Sequence, residues 1–207
     1  MNSEKVLQLL KNHVPLAAVD ACFALWQKHR FVFKLRKARI TKVGDFTYRP
    51  GHQPQITINQ DLHPFLFLLT YIHEVAHHEV HARHGSRVEA HGAEWKTRFR
   101  ELLMPLLDPI IFPEPLLSGL KKHMENPKAS SFSDPELTKL FRLFDERITV
   151  QILLSDIPKG SIFKLHNRWF VKGELRRTRV LCRELKTKRN YLVPADSPVS
   201  ETQLSLL

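Results

Sequence analysis

Cysteine is nearly absent from this chain of 207 residues: Cys22 and Cys182 are the whole supply, far apart and in no C-x-x-C pair. That excludes a disulfide framework and a cysteine-based zinc site, and leaves both thiols as small core residues of a protein kept in a reducing compartment. A run of eighteen or more apolar residues is also missing. The opening MNSEKVLQLLKNHVP is amphipathic rather than a basic stretch followed by an apolar one and a cleavage site. The expectation is a cytoplasmic protein, free or associated with the nucleoid, with no membrane partner. The length and a hydrophobic share of 43% fit one ordinary core with a small appendage.

Acid is scarce where base is concentrated. Between Lys159 and Asn190 stand eleven Lys or Arg against Glu174 and Glu184 alone, a net +9. A second stretch, KHRFVFKLRKARITK at 28–42, holds seven Lys or Arg and no acid, so the rest of the chain, at +11 overall, is net acidic. Cations gathered this way point to a polyanionic partner more than the total does.

What is present reads as an α+β chain. Ser3 caps a first helix, and Pro15 opens a second, PLAAVDACFALWQKHR. FVFKLRKARI and QITINQDL read as strands of a small sheet on either side of the turn-rich VGDFTYRPGHQP. Asp61 or His63 before Pro64 starts a long helix that Gly85 closes. GAEWKTRFRELLMPLL follows as a helix, then a proline-punctuated connection with one short helix, then the KASSF linker and a helix capped by Asp134 with Pro135 first. From Ile148 onward short β-like runs alternate with turns. The division expected is 1–145, a helical domain with a small sheet, and 146–207, a small basic β-rich domain.

Six of the twelve histidines fall within TYIHEVAHHEVHARHGSRVEAHGAEW, residues 70–95. His73-Glu74-Val75-Ala76-His77 is H-E-x-x-H. On a helix, residues four apart share a face, so two imidazoles can grip one ion while Glu74 reaches a water there as general base. The apolar PFLFLLTYI immediately upstream holds that helix rigidly against a core, which a solvated histidine face would not need. A catalytic zinc requires a third protein ligand and an open position. His81 lies about 12 Å along the axis from His73, too far to share the ion. Beyond the turn at Gly85 the candidates are His91 and Glu89. His91 is favoured because Gly92 and a helix carrying Trp95, Phe99 and Leu103 follow it, and His78, His81 and His84 are left as ordinary residues, exposed or behind the ligands. Val80 and Arg83 occupy the places of the glycine and third histidine of H-E-x-x-H-x-x-G-x-x-H, which excludes that arrangement.

HEVAHHEVHARHGSRVEAHGAEW resembles the signature of the SprT-like zinc metallopeptidases, the Spartan-type protease domain: H-E-x-x-H, then H-G-x-x-W/F some fourteen residues later. The resemblance covers about residues 28–108. It implies a zincin-like fold, a single zinc ion on His73, His77 and His91, Glu74 as the catalytic residue, and cleavage of proteins bound or crosslinked to DNA during repair. The chain departs from many bacterial members in lacking a four-cysteine ribbon, so a second zinc is not expected.

In the basic segment Lys164, Arg168, Trp169, Lys172, Arg176, Arg177, Arg179, Arg183, Lys186, Lys188 and Arg189 are the candidate DNA contacts. The cations would meet phosphates, and Trp169 or Tyr191 would stack on bases. The bland alternative is a small β core with a solvated basic face. A peptide or protein substrate is expected to pair beside QITIN; Tyr48, Tyr71 and His52 are weak candidates for stabilising an oxyanion. The rival function is a DNA-binding protein with a structural or vestigial zinc and no peptidase activity. Glu74 speaks against it, since a structural ion needs no base.

Overall fold

The computed structural model describes residues 2–39, 42–128, 134–145, 152–177, 179–195 and 197–203; the KASSF linker, from residue 129 on, and the start of the strand run at 150–151 lie outside them. The chain is α+β with two small sheets and divides into two compact units, residues 1–148 and 149–207.

In the first unit, helices α1 (Ser3–His13) and α2 (Val19–His29) precede three short strands, β1 (Val32–Arg36), β2 (Gly44–Thr47) and β3 (Gln55–Asn59). Asn2, one residue ahead of the expected Ser3, caps α1 by accepting the Lys5 N–H at 3.0 Å. The sheet order is β1-β3-β2, with β1 parallel and β2 antiparallel to β3. QITIN is therefore the central strand, paired along both sides, and not the free edge expected for it. The free edges belong to β1 and to β2, which arises inside the stretch expected to be all turn. Gly44 and Asp45 are poor strand formers, and their pairing to β3 overrides that local preference.

The long helix α3 (Pro64–His84) runs under this sheet. Phe33, Ile56 and Ile58 are fully buried on the face turned to it, and Phe33 meets the rings of Phe67 and Tyr71 at 6.4 and 5.3 Å. Leu66 to Ile72 are buried without a break, so this is a helix apolar all round rather than an amphipathic one. A helix of that kind must be covered on every side. α4 (Ala93–Leu103) contributes Trp95, Phe99 and Leu103, all buried, and α5 (Leu116–His123) and α6 (Pro135–Arg142) extend the same core.

The second unit is a six-stranded sheet, β4 (Ile152–Leu153), β5 (Ile162–Leu165), β6 (Arg168–Arg176), β7 (Arg179–Glu184), β8 (Asn190–Pro194) and β9 (Pro198–Gln203), in the order β4-β9-β5-β6-β7-β8. Its core holds Leu154, Ile157, Phe163, Phe170, Val180, Cys182 and Val193. Lys172 is buried within it, and its Nζ donates to the carbonyls of Ser155 (3.2 Å) and Ile157 (2.5 Å), tying β6 to the turn after β4. Among the described residues of the chain no helix is long and apolar enough to cross a membrane.

Removing one partner of a buried hydrogen bond costs about 1–3 kcal/mol. Lys172→Ala is accordingly expected to lower stability by about that amount in chemical denaturation, whatever the salt concentration. An unchanged midpoint would show that these two bonds contribute nothing.

Candidate metal centre

Helix α3 begins with Pro64, which lacks the N–H that a first helical residue has no use for, and with His63, whose Nδ1 accepts the Phe65 N–H at 3.4 Å. The nine residues from Pro64 to Ile72, nearly all apolar, carry the chain to His73. The helix ends where Gly85 turns at φ 61°, ψ −138°, a conformation open essentially to glycine alone, with its N–H bonded to the His81 carbonyl at 2.8 Å. An exposed loop returns, a turn closed by Gly92 N–H to Glu89 O (3.1 Å) presents His91, and α4 starts immediately after.

The three histidines converge. Nε2 of His77 lies 3.1 Å from that of His73 and 3.0 Å from that of His91, and the remaining pair is 3.4 Å apart. Nitrogens about 2.0–2.1 Å from one tetrahedral ion stand about 3.4 Å from each other, so the set fits a shared ion. Three neutral imidazoles are also a donor set that suits first-row transition metals. Glu89 is not in the group, which among the described residues is the one cluster of three or more His, Cys, Asp or Glu close enough to hold a metal.

Trp95 is the wall behind them. Its ring centroid lies 4.6 Å from that of His73, 5.3 Å from His77, 4.7 Å from His91 and 4.9 Å from Phe99. It is wholly buried, and its Nε1–H has no partner among the described residues. Burial, then the neighbouring imidazoles, hold His73 well below the usual histidine range, and burial followed by His91 brings His77 down to about 3. His123 at the end of α5 adds to the pressure on His73. It is buried, and its Nδ1 lies 2.8 Å from Asp134 Oδ2, the carboxylate that caps α6. The sequence alone gave no sign of this pair, because its members belong to different short helices.

Glu74 follows His73 in the sequence and packs toward the sheet. It is buried beneath β2: a Cβ added to Gly44 would stand 2.5 Å from its Oε1 and 2.6 Å from Thr70 Cγ2. Burial and then Asp45 push its carboxyl up to about 8, against a hydrogen bond from the Phe46 backbone and the charges of Arg39 and Lys42. Gly44 thus sets how closely the sheet's free edge approaches the acid. Its only sign in the sequence was a lone glycine in a turn-rich run.

The other histidines of the cluster differ. His84 is exposed and His81 rests on the Tyr48 ring at 4.4 Å. His78 is buried, packed against Phe31, Phe46 and His29, with neither ring nitrogen partnered among the described residues. Beside it Glu79 ties three helices, with Oε1 2.7 Å from His29 Nε2 and Oε2 2.5 Å from Arg98 Nε. Burial works to raise that carboxyl, and the bonds to Arg98 and His29 outweigh it and hold it at about 2. Of the oxyanion candidates, Tyr71 is spent in the core, its hydroxyl donating to the Cys22 carbonyl at 2.9 Å.

In the second unit the basic residues part company. Strand alternation and cross-strand pairing put Lys164, Trp169, Arg179 and Arg183 on the face opposite the core. Arg176, Arg177, Lys186, Lys188 and Arg189 lie at or beside the turns. Arg168 is engaged on the other face, with Nε 2.6 Å from Glu184 Oε1 and its guanidinium over the rings of Tyr191 (4.7 Å) and Phe170 (5.3 Å). Tyr191 is covered in the same way, and Lys172 is internal.

Comparison with protein families, with curated proteins and with solved structures finds no match for the chain.

Two outcomes are expected from this geometry. An unfolded histidine takes up a proton near pH 6.5, whereas folded His77 refuses it until about pH 3. The unfolded state then binds more protons, and the metal-free protein loses stability as pH falls below 6.5. Melting temperatures from pH 7 to 4 should show this, with a shallower fall in His77→Gln; equal slopes would count against it. Gly44→Ala should move β2 or Glu74 and cost about 1–3 kcal/mol, the usual penalty of overpacking. Wild-type thermal stability in that variant would show that β2 yields freely.

Proposed function

We propose that the first unit is a zincin-like endopeptidase of the SprT-like type, acting on proteins bound or crosslinked to DNA. The observation that carries this reading is the pairing of two features: three convergent imidazole nitrogens, two of them on α3, and a buried acid next in sequence to His73, beneath the edge strand β2. The resemblance of HEVAHHEVHARHGSRVEAHGAEW to the family's signature supports it.

His73, His77 and His91 would hold the zinc, and a zinc ion there supplies a Lewis acid that acidifies water and polarises a carbonyl. The remaining work falls to the chain. Trp95 and Phe99 keep the imidazoles in place and exclude water from behind them. An extended peptide adds to the open side of β2, where main-chain hydrogen bonds hold it whatever its sequence. Glu74 takes the proton of the attacking water on its carboxylate and passes it to the leaving amine, so that one water and one peptide bond become an acid and an amine. Burial favours its protonated form, and an ion held by the three imidazoles would act in the opposite sense. DNA would be met by the outer face of the second unit, through Lys164, Arg179 and Arg183 on phosphates and Trp169 on exposed bases.

The competing reading is a DNA-binding protein whose ion is structural. Structural zinc sites are closed by four protein ligands, and among the described residues no fourth ligand joins the group. The deciding variant is Glu74→Gln. It should retain the wild-type metal stoichiometry by elemental analysis and lose cleavage of a DNA-bound protein by a factor of about 100 or more, the usual range for a general base. Cleavage at the wild-type rate would end the peptidase reading.

A further inference from the structure

The first unit has a second basic surface, on the face of its sheet that α3 leaves uncovered. Along β1, Lys34 and Arg36 alternate with buried Phe33, and both are exposed. Register places Lys34 beside Thr57 and Arg36 beside Asn59 on β3. These strands floor a depression of about 650 Å³ that Arg39, Arg49 and His52 also line. Asp45 is the one acid there, and Lys42 already meets its charge at 2.7 Å.

Arg39 is the fixed point of this surface. Its Nε donates to Asn59 Oδ1 at 2.8 Å, Nη1 to Thr57 Oγ1 at 3.2 Å and Nη2 to the Thr57 carbonyl at 3.4 Å. Asn59 in turn donates to the carbonyls of Arg39 and Lys42, both at 3.2 Å. The Arg39 guanidinium is therefore held over the sheet by neutral acceptors, with N–H groups to spare and no carboxylate bonded to it among the described residues. Among the described residues, Lys34, Arg36 and Arg49 have no acidic partner either.

We propose that this depression binds the phosphate backbone of DNA, giving the protease-like unit its own hold on the polymer. The proposal rests on the DNA part of the reading above. Cations without an acidic partner, on β1 and on the segments that follow β1 and β2, suit a continuous line of charge, and the floor is largely hydroxyl and amide. An acidic peptide would ask in addition for pockets to take its side chains. Phosphate contacts of this kind carry no sequence preference.

The test uses the full chain and anisotropy of a short fluorescein-labelled DNA duplex over a series of NaCl concentrations. Wild type is compared with Lys34→Ala/Arg36→Ala/Arg49→Ala, all exposed positions, and with Lys164→Ala/Arg179→Ala/Arg183→Ala on the second unit. Melting temperatures confirm that each variant is folded. Loss of three phosphate contacts should reduce the slope of log affinity against log salt by about 2–3 and weaken binding about tenfold at low salt. If the first triple variant binds like wild type while the second does not, the depression is not a DNA site and the DNA reading survives. If wild type binds no duplex, both fall. Displacement of DNA by polyglutamate as effectively as by unlabelled duplex, charge for charge, would assign the surface to acidic protein and overturn the proposal.

Discussion

Three imidazole nitrogens stand within 3.4 Å of one another, and burial disfavours the charged form of the two that α3 carries. The helix that carries two of them is buried without a break from Leu66 to Ile72, and the third arrives with a helix whose indole covers the group. Low dielectric surroundings penalise a charge on His73 or His77, and the neighbouring imidazoles add to the penalty. The same helix can nevertheless carry Glu79, because His29 and Arg98 meet that carboxylate directly. Charge is admitted into this core only where a partner waits for it.

The two units use cations in different ways. In the first, Arg39 and Arg98 are held by named acceptors, one over an open sheet and one inside a helix contact. In the second, the high density of Lys and Arg overstates the surface available to a ligand. Lys172 is a crosslink within the fold, and Arg168 is occupied by Glu184 and two aromatic rings. Composition counts a cation wherever it lies. Only the pairing of strands shows which face it serves.

The helix and its two histidines were legible in the sequence because spacing on a helix is a local property. The return of His91 was legible because a glycine turn and a short loop leave few places for the chain to go. β2 was not, since Gly44 and Asp45 form a strand only by virtue of β3 beside them. The same omission made QITIN look like an edge. His78 was indistinguishable in the sequence from His81 and His84, yet its position on the helix turns it into a nest of rings from His29, Phe31 and Phe46. The His123–Asp134 pair joins two short helices that nothing in the sequence brings together. What failed to show in each case was a contact between distant segments.

The loop after Gly85 has a consequence for the unfolded chain. It is exposed and stands between residues eighteen positions apart whose side chains meet. An ion bridging them would close a ring that the free chain otherwise opens at will. The entropy relation for covalent crosslinks sets the worth of such a closure at about 3 kcal/mol. Metal supply would then govern how long the first unit stays folded, and a cell short of the ion would hold a more perishable protein.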